Sequence, residues 1–242
     1  MGPMSAKPTK LAFVALLTML LASTGVWADP VTSVITRDAQ ANITPAKALT
    51  MLKEGNARFV SGNATDYDYI AQVKQTANGQ FPFASVISCL DSRIPPEIIF
   101  DRGIGDLFVA RVAGNFANDD ILGSLEFASK LAGAKLIVVM GHSECGAVKG
   151  ACDTAQLGLL STTLASINPA VTAVEGYSPR SSKNAEFVQA VSEMNVRLTM
   201  KTLRDRSVVL RQMIDSGDID LVGAMYDVST GEVTFLSPQA VQ

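Results

Sequence analysis

Three short apolar runs in the middle of the chain constrain its fold more than any other feature. Phe83 to Ser88, Leu107 to Val112 and Lys135 to Met140 are rich in Val, Ile and Leu, and each has the length of a buried strand. A segment with helical periodicity, Asp119 to Leu131, separates the last two runs. Strands that alternate with helices pair in parallel through crossover connections. The sequence therefore predicts an α/β fold with a mainly parallel central β-sheet flanked by helices.

The chain before these runs predicts an N-terminal helical arm. Thr44-Pro45 is a helix N-cap followed by proline at the first helical position, and apolar residues then recur at helical spacing as far as Val60. A second helical stretch covers Tyr67 to Thr76.

The chain after the apolar runs predicts one long helix and then a hairpin. Ala185 to Ile214 has a helical pattern that is broken only weakly. Leu221 to Val228 and Val233 to Leu236 flank Ser229-Thr230-Gly231, which is a turn signal. We therefore expect an antiparallel C-terminal edge strand.

The first 28 residues have the order of a secretory signal. Two lysines precede an apolar run from Leu11 to Ala22, and Val26 and Ala28 stand at the small-residue positions of a cleavage site. The alternatives are a buried helix or a membrane anchor, but the run is shorter than the ~20 residues that a spanning helix needs. We expect cleavage after residue 28, an exposed leader over 29–43, a single domain over 44–242, and a periplasmic or secreted protein with no membrane segment after cleavage.

The charge balance argues against a nucleic-acid partner. The chain has 20 Lys and Arg against 23 Asp and Glu, a net charge of −3, and no long basic run. With 48% hydrophobic and 18% charged residues, it is too apolar for a disordered protein and too mixed for a multi-span membrane protein.

Two short motifs place metal-binding residues after two of the predicted strands. Cys89-Leu-Asp-Ser-Arg93 follows the first strand, and His142-Ser-Glu-Cys145 follows the third. The carboxyl ends of parallel strands meet at the edge of a sheet where ligands bind. In an extended segment Cys89, Asp91 and Arg93 point the same way, and His142 and Cys145 can reach one ion across a turn.

Two thiolates, one imidazole and one carboxylate are a donor set that suits tetrahedral zinc. The alternative is a pair of buried thiols beside a hydrogen-bonded structural histidine, since His142 is the only histidine in the chain. An iron–sulfur cluster would need more cysteines than these two. With three cysteines in all, Cys152 is left over, and we expect it to be a small buried residue without a chemical role.

Both motifs resemble the signature motifs of the β-class carbonic anhydrases. The resemblance continues through further segments: Pro95-Pro-Glu-Ile-Ile-Phe-Asp, Arg111-Val-Ala-Gly-Asn, Gly123-Ser-Leu-Glu-Phe and Tyr226-Asp-Val-Ser-Thr-Gly. It implies zinc held by Cys89, His142 and Cys145. Asp91 is then either the fourth ligand or the partner of Arg93, and it would orient a zinc-bound hydroxide that attacks carbon dioxide.

The resemblance also implies substrate contacts and a branch of the family. Gln80 matches a glutamine that hydrogen-bonds the substrate in the plant-like branch, and Phe108 and Phe127 match aromatic pocket positions of that branch. The allosteric branch has a tryptophan at the position of Val86, where it forms a bicarbonate pocket with the matches of Arg111 and Tyr226. Val86 therefore favours the plant-like branch.

The predicted function is the reversible, zinc-dependent hydration of carbon dioxide to bicarbonate by a homodimer or homotetramer. Two alternatives remain open from the sequence. One is a carbon disulfide or carbonyl sulfide hydrolase on the same fold, and the other is a non-catalytic zinc protein in which Asp91 stays bound.

Overall fold

The computed structural model of the chain describes residues 1–2 and 29–237. Nearly all of the predicted signal segment therefore lies outside the described residues, and its cleavage stays a prediction. Among the described residues, no helix combines the length and the apolar character needed to cross a membrane.

A five-stranded sheet forms the centre of the fold, in the order β2-β1-β3-β4-β5. Strands β1 to β4 are parallel, and β5 pairs with β4 in antiparallel fashion, which confirms the predicted α/β architecture. The strands are β1 Ala84–Ser88, β2 Leu107–Arg111, β3 Leu136–His142, β4 Asp220–Tyr226 and β5 Val233–Phe235.

Helices cover both faces of this sheet, as the complete burial of β1 and β3 requires. Every residue of these two strands is buried. Val86 and Val138 face one apolar core, and their neighbours Ile87 and Val139 face the other. Strands that are buried on both faces lie inside a sheet that is covered on both sides, and even the two serines of β1, Ser85 and Ser88, are fully buried.

The described chain contains ten α-helices and one π-helical turn. The predicted arm begins at its predicted cap, where the Thr44 hydroxyl accepts a hydrogen bond of 3.2 Å from the Lys47 N–H. The helices are α1 Arg37–Ala41, α2 Pro45–Val60, α3 Tyr69–Thr76, α4 Pro96–Ile99, α5 Asp119–Glu126, α6 Gly146–Cys152, α7 Gly158–Ala165, α8 Asn168–Ala173, α9 Ala185–Arg206 and α10 Val208–Asp215. The π-helical turn, Phe127–Leu131, directly follows α5.

The predicted helix over Ala185 to Ile214 is two helices in the structure, and Ser207 separates them. The Ser207 hydroxyl accepts a hydrogen bond of 3.0 Å from the Leu210 N–H and so caps α10. The same hydroxyl lies 2.6 Å from a carboxylate oxygen of Glu126. A side chain that caps a new helix and also contacts α5 explains the break.

The leader over 29–43 is mostly exposed, yet it contains α1, which the sequence pattern did not indicate. Gln40 is buried, and its amide donates to the carbonyls of Pro82 at 2.7 Å and Ala132 at 2.8 Å. Gln72 of α3 donates to the Ser33 carbonyl at 3.2 Å. Pro82 and Ala132 precede β1 and β3, so these bonds fix the leader at the amino edge of the sheet.

The helical arm packs closely on the chain around α4. A Cβ added at Gly55 would lie 1.8 Å from the Phe100 carbonyl oxygen, so this approach requires glycine. The Arg58 Nε lies 2.5 Å from the Asp101 carboxylate, which Thr65 also contacts. Burial raises the pKa of Asp101, but these hydrogen bonds outweigh burial and bring the pKa below its ordinary value.

Candidate metal centre

Three donor side chains converge at the carboxyl edge of the sheet. Cys89 follows β1, His142 is the last residue of β3, and Cys145 immediately precedes α6. Their ligand atoms all lie within 4.8 Å of one another, and the two sulfur atoms are 4.0 Å apart. Two Zn–S bonds of about 2.3 Å at a tetrahedral angle place the sulfurs roughly 3.8 Å apart, so the spacing suits zinc.

The backbone between the last two donors turns sharply. Glu144 has a φ of 59°, in the left-handed region that side chains other than glycine rarely adopt. This turn reverses the chain, so that His142 and Cys145 face the same point. Lys149 of α6 pairs with the Glu144 carboxylate at 2.5 Å and so supports the turn from outside.

The imidazole of His142 is held in the tautomer that a metal ligand needs. Its Nδ1 lies 2.8 Å from the Ser143 carbonyl oxygen, and because a carbonyl can only accept, Nδ1 carries the proton. Nε2 therefore presents a lone pair to the cluster, where it is buried and has no hydrogen-bond partner among the described residues. A fully buried acceptor without a partner is unfavourable unless a cation fills that place. A backbone carbonyl on the other ring nitrogen is the usual support of a metal-binding histidine.

The two thiols are electrostatically coupled. The hydrogen bond from Cys145 lowers the pKa of Cys89 to about 4, against burial, which raises it. Cys145 donates this hydrogen bond to Cys89, which raises the pKa of Cys145, and burial raises that pKa further. A thiol that coordinates a divalent cation loses its proton outright. The donor types, their spacing and the orphaned imidazole nitrogen together fit zinc, held by Cys89, His142 and Cys145.

Asp91 lies outside this cluster and is bound to Arg93. The Arg93 Nε and Nη2 donate to the two Asp91 carboxylate oxygens at 3.0 and 2.7 Å, and the Arg93 backbone N–H donates at 3.0 Å. The hydrogen bond from the Arg93 side chain is the main reason why the pKa of Asp91 lies well below its usual range. In this conformation Asp91 is the partner of Arg93, which is one of the two roles that the sequence left open for it.

A second arginine, Arg111, contacts the same loop, a role that the sequence did not indicate. The Arg111 Nε donates to the Cys89 carbonyl at 3.0 Å, and its Nη2 donates to the Asp91 carbonyl at 2.6 Å. Nearby, the Gly114 N–H donates to the Cys89 sulfur at 3.4 Å, and the Asn195 amide donates to the Gly114 carbonyl at 2.7 Å. The Arg111-Val-Ala-Gly-Asn motif was the available signal for these contacts.

The predicted substrate residues do not join the metal cluster within one chain. Phe108 and Phe127 meet edge-on with ring centroids 6.2 Å apart, beside an open groove of about 550 Å³ next to β2. Gln80 is exposed and precedes β1, whereas Cys89 follows it. Five strand residues alone span about 16 Å, so Gln80 lies at the opposite end of the strand from the metal donors.

Cys152 ends α6 and is not part of the metal cluster. It is buried and unpaired, and burial raises the pKa of its thiol. A buried cysteine with a raised pKa is unreactive, in line with the structural role expected from the sequence.

Fold and site together define an α/β protein with a Cys2His zinc centre at the carboxyl edge of a parallel sheet. A family model described as "Carbonic anhydrase" matches residues 84–233. The chain is 36% identical over 199 residues to "Carbonic anhydrase 2" of Mycobacterium tuberculosis, covering 78% of this chain and 92% of that protein. It is 35% identical over 202 residues to a carbonic anhydrase of Mycolicibacterium smegmatis, covering 81% of this chain and 95% of that protein.

Solved structures agree with these relatives. A tetrameric β-carbonic anhydrase of Sordaria macrospora superposes with a TM-score of 0.60 at 26% identity, covering 68% of this chain and 85% of that one. The β-carbonic anhydrase CafA of Aspergillus fumigatus gives the same TM-score and identity, covering 79% and 90%. The chain belongs to the β-class carbonic anhydrase family. Its reaction is the reversible hydration of carbon dioxide to bicarbonate, with zinc as the cofactor.

Proposed function

We propose that the Asp91–Arg93 pair keeps the fourth coordination position of the zinc site open. The observation that carries this proposal is that both carboxylate oxygens of Asp91 are bound by Arg93, while three protein donors converge among the described residues. Catalytic zinc sites use three protein ligands and leave one position for water or substrate, whereas structural sites use four. The pairing therefore also argues against a non-catalytic zinc protein.

When bound, zinc supplies the nucleophile, because it lowers the pKa of a coordinated water from ~15.7 to roughly 7. The chain supplies the orientation. Asp91 stays ionised beside Arg93 and is an acceptor for a proton donor at the open position. If Arg93 released it, Asp91 could instead reach the metal donors and close the site. The exchange of Asp91 between these two partners is the switch that we propose.

Zinc analysis combined with stopped-flow carbon dioxide hydration tests this proposal. We expect one zinc per chain and rapid hydration by the wild type. A fully zinc-loaded protein that does not hydrate carbon dioxide would contradict it, and activity towards carbon disulfide or carbonyl sulfide would then identify the rival hydrolase.

We further propose that the enzyme is a homodimer or homotetramer in which Gln80, Phe108 and Phe127 serve the site of a neighbouring subunit. Gln80 cannot reach the metal donors of its own chain, and Phe127 is half exposed beside the edge strand β2. Leu131, one helical turn further along the chain, is 77% exposed. An exposed apolar surface beside an uncovered edge strand is typical of a subunit interface.

Subunit mixing tests this arrangement. Gln80→Ala and Cys145→Ser variants each lack one part of a composite site, so a mixed oligomer regains one complete site for each pair of subunits. We expect the mixture to be more active than either variant alone after dissociation and reassociation. Light scattering should give the mass of two or four chains. A monomeric enzyme at full activity would contradict the proposal.

Val86 supports membership of the plant-like branch. It is fully buried in the sheet between β2 and β3, and its isopropyl group offers no donor for an anion. The bicarbonate pocket of the allosteric branch would therefore lack its indole contact.

We also propose that residues 1–28 direct export and are removed. The support is the order of charged, apolar and small residues described above. Cell fractionation and N-terminal sequencing test this, and we expect a periplasmic or secreted protein that begins at Asp29. An intact N-terminus on a cytoplasmic protein would contradict it.

A further inference from the structure

We propose that Arg111 is a positioning residue: its guanidinium holds the Cys89–Asp91 backbone in the conformation that turns the Asp91 carboxylate towards Arg93. This inference rests on the proposed role of the Asp91–Arg93 pair. It assigns to Arg111 a task distinct from anion binding and distinct from direct contact with the metal.

The contacts of Arg111 form a fork on one short stretch of backbone. Nε binds the carbonyl of Cys89 at 3.0 Å and Nη2 binds the carbonyl of Asp91 at 2.6 Å, so the planar group spans two peptide units. Arginine presents its donors in a rigid plane, which makes such a two-point contact geometrically specific. One end of the stretch is a metal donor and the other end is the residue that controls the open position.

Two backbone N–H groups hold the ends of this stretch: Ile94 donates to the Asp91 carbonyl at 3.1 Å, and Gly114 donates to the Cys89 sulfur at 3.4 Å. Leu90, between the two carbonyls, is 60% exposed and contributes little packing. The Asp91 side chain is held separately, because its carboxylate accepts three hydrogen bonds from Arg93. Among the described residues, Arg111 is the side chain that joins the Cys89 and Asp91 carbonyls, and Arg93 fixes the side chain of Asp91. Without Arg111 the two ends of the stretch are no longer joined, so the contact with Arg93 has to be made by a less constrained loop.

The surroundings of Arg111 favour this role over a salt bridge or an anion site. No carboxylate among residues 29–237 lies within ion-pair distance of Arg111. Two of its donors are already used by carbonyls, and Val86 supplies no further donor. The Arg111 guanidinium has no acidic partner among these residues and binds backbone carbonyls. We therefore infer that it acts through the loop to which those carbonyls belong.

Azide titration of the cobalt-substituted protein tests the inference independently of carbon dioxide hydration. Azide is a small anion that can enter only an open coordination position, and Co²⁺ reports its binding in the visible spectrum. In Arg111→Ala we expect metal to be retained and azide affinity to fall by about tenfold or more, the scale of losing one or two charge-assisted hydrogen bonds. Arg204→Ala removes another exposed arginine, paired with Asp215 in the α9–α10 region, and is the matched control.

A double variant of Arg93 and Arg111 shows whether Arg111 positions Asp91 or merely supports the fold. If both arginines act through Asp91, Arg93→Ala already frees the carboxylate, and adding Arg111→Ala should change azide affinity by less than about twofold. Arg111→Lys keeps the charge but loses the planar fork, so it should lie between wild type and Arg111→Ala. If Arg111→Ala does not fold, Arg111→Lys is the variant that tests the inference.

Wild-type azide affinity in Arg111→Lys and Arg111→Ala would overturn the inference. Loss of cobalt in step with loss of azide binding, or effects that multiply with those of Arg93→Ala, would also overturn it, because Arg111 would then support Cys89 or the fold. A wild type that binds azide but does not hydrate carbon dioxide would refute the proposed function and leave this test intact.

Discussion

Replacing Cys145 by serine is the sharpest test of the metal centre, because the chain offers a matched control for it. Cys145 is only 1% exposed, and its sulfur lies 4.0 Å from that of Cys89, so no other described side chain can take its place without moving the loop. Cys152 is a second buried cysteine, 7% exposed, that lies outside the cluster. The same substitution at both positions separates loss of a ligand from loss of a buried sulfur.

The size of the effect follows from the ligand count. A structural zinc site binds with an apparent free energy of about 10–16 kcal/mol over four ligands, or roughly 2.5–4 kcal/mol for each. Losing one thiolate should therefore weaken zinc binding by about two to three powers of ten and abolish hydration. Cys152→Ser should keep full zinc and lose about 1–3 kcal/mol of stability, the cost of burying a hydroxyl.

The assay is the zinc-to-protein ratio after dialysis against chelators of graded affinity, with thermal unfolding of each zinc-loaded variant. We expect the two variants to differ clearly in zinc retention at intermediate chelator strength. Full zinc occupancy in Cys145→Ser, or equal zinc loss in both variants, would refute the assignment of the ligands.

Four further predictions concern other parts of the site and the fold. Arg93→Ala should retain zinc but lose most hydration activity, because Asp91 is then free to bind the metal; zinc analysis with stopped-flow rates checks this, and near-normal turnover would contradict it. Added bicarbonate at fixed pH should not cause sigmoidal inhibition, since Val86 replaces the indole; initial rates decide. Turnover at saturating carbon dioxide should rise with buffer concentration, because His142 is the only histidine and is committed to the cluster; a flat response across an imidazole buffer series would reveal an internal proton shuttle. Gly55→Ala should lower the melting temperature without changing zinc content, because its Cβ would overlap the Phe100 carbonyl.

Much of the fold was predictable from local patterns, but helix α1 was not. The apolar runs of β1 and β3 and the cap at Thr44 mark elements that their own residues determine. Helix α1 has only five residues, too few to show a period, and Gln40 holds it through carbonyls 42 and 92 positions away in the sequence. Contacts between residues so far apart in the sequence cannot be predicted from a short segment of it.

The same distinction applies to the site. The two motifs predicted Cys89, His142 and Cys145 because these donors stand beside strand ends that the sequence also indicates. Whether Asp91 faces the metal or Arg93 depends on loop conformation, and Arg111 contacts that loop from a strand 20 residues away. The predicted strand from Phe83 to Ser88 already separates Gln80 from Cys89, but the sequence does not show which subunit's site Gln80 serves.

The attachment of the leader at the amino edge of the sheet has a practical consequence. Gln40 and Gln72 tie residues 29–43 to the end of the molecule opposite the zinc ligands. A peptide tag or surface linker joined ahead of residue 29 would therefore leave the chain away from the metal donors of its own subunit but on the side where Gln80 lies. If Gln80 serves the site of a neighbouring subunit, as proposed, a bulky linker at this end would crowd that site. Attachment to a solid support for carbon dioxide capture is then better made through another part of the surface.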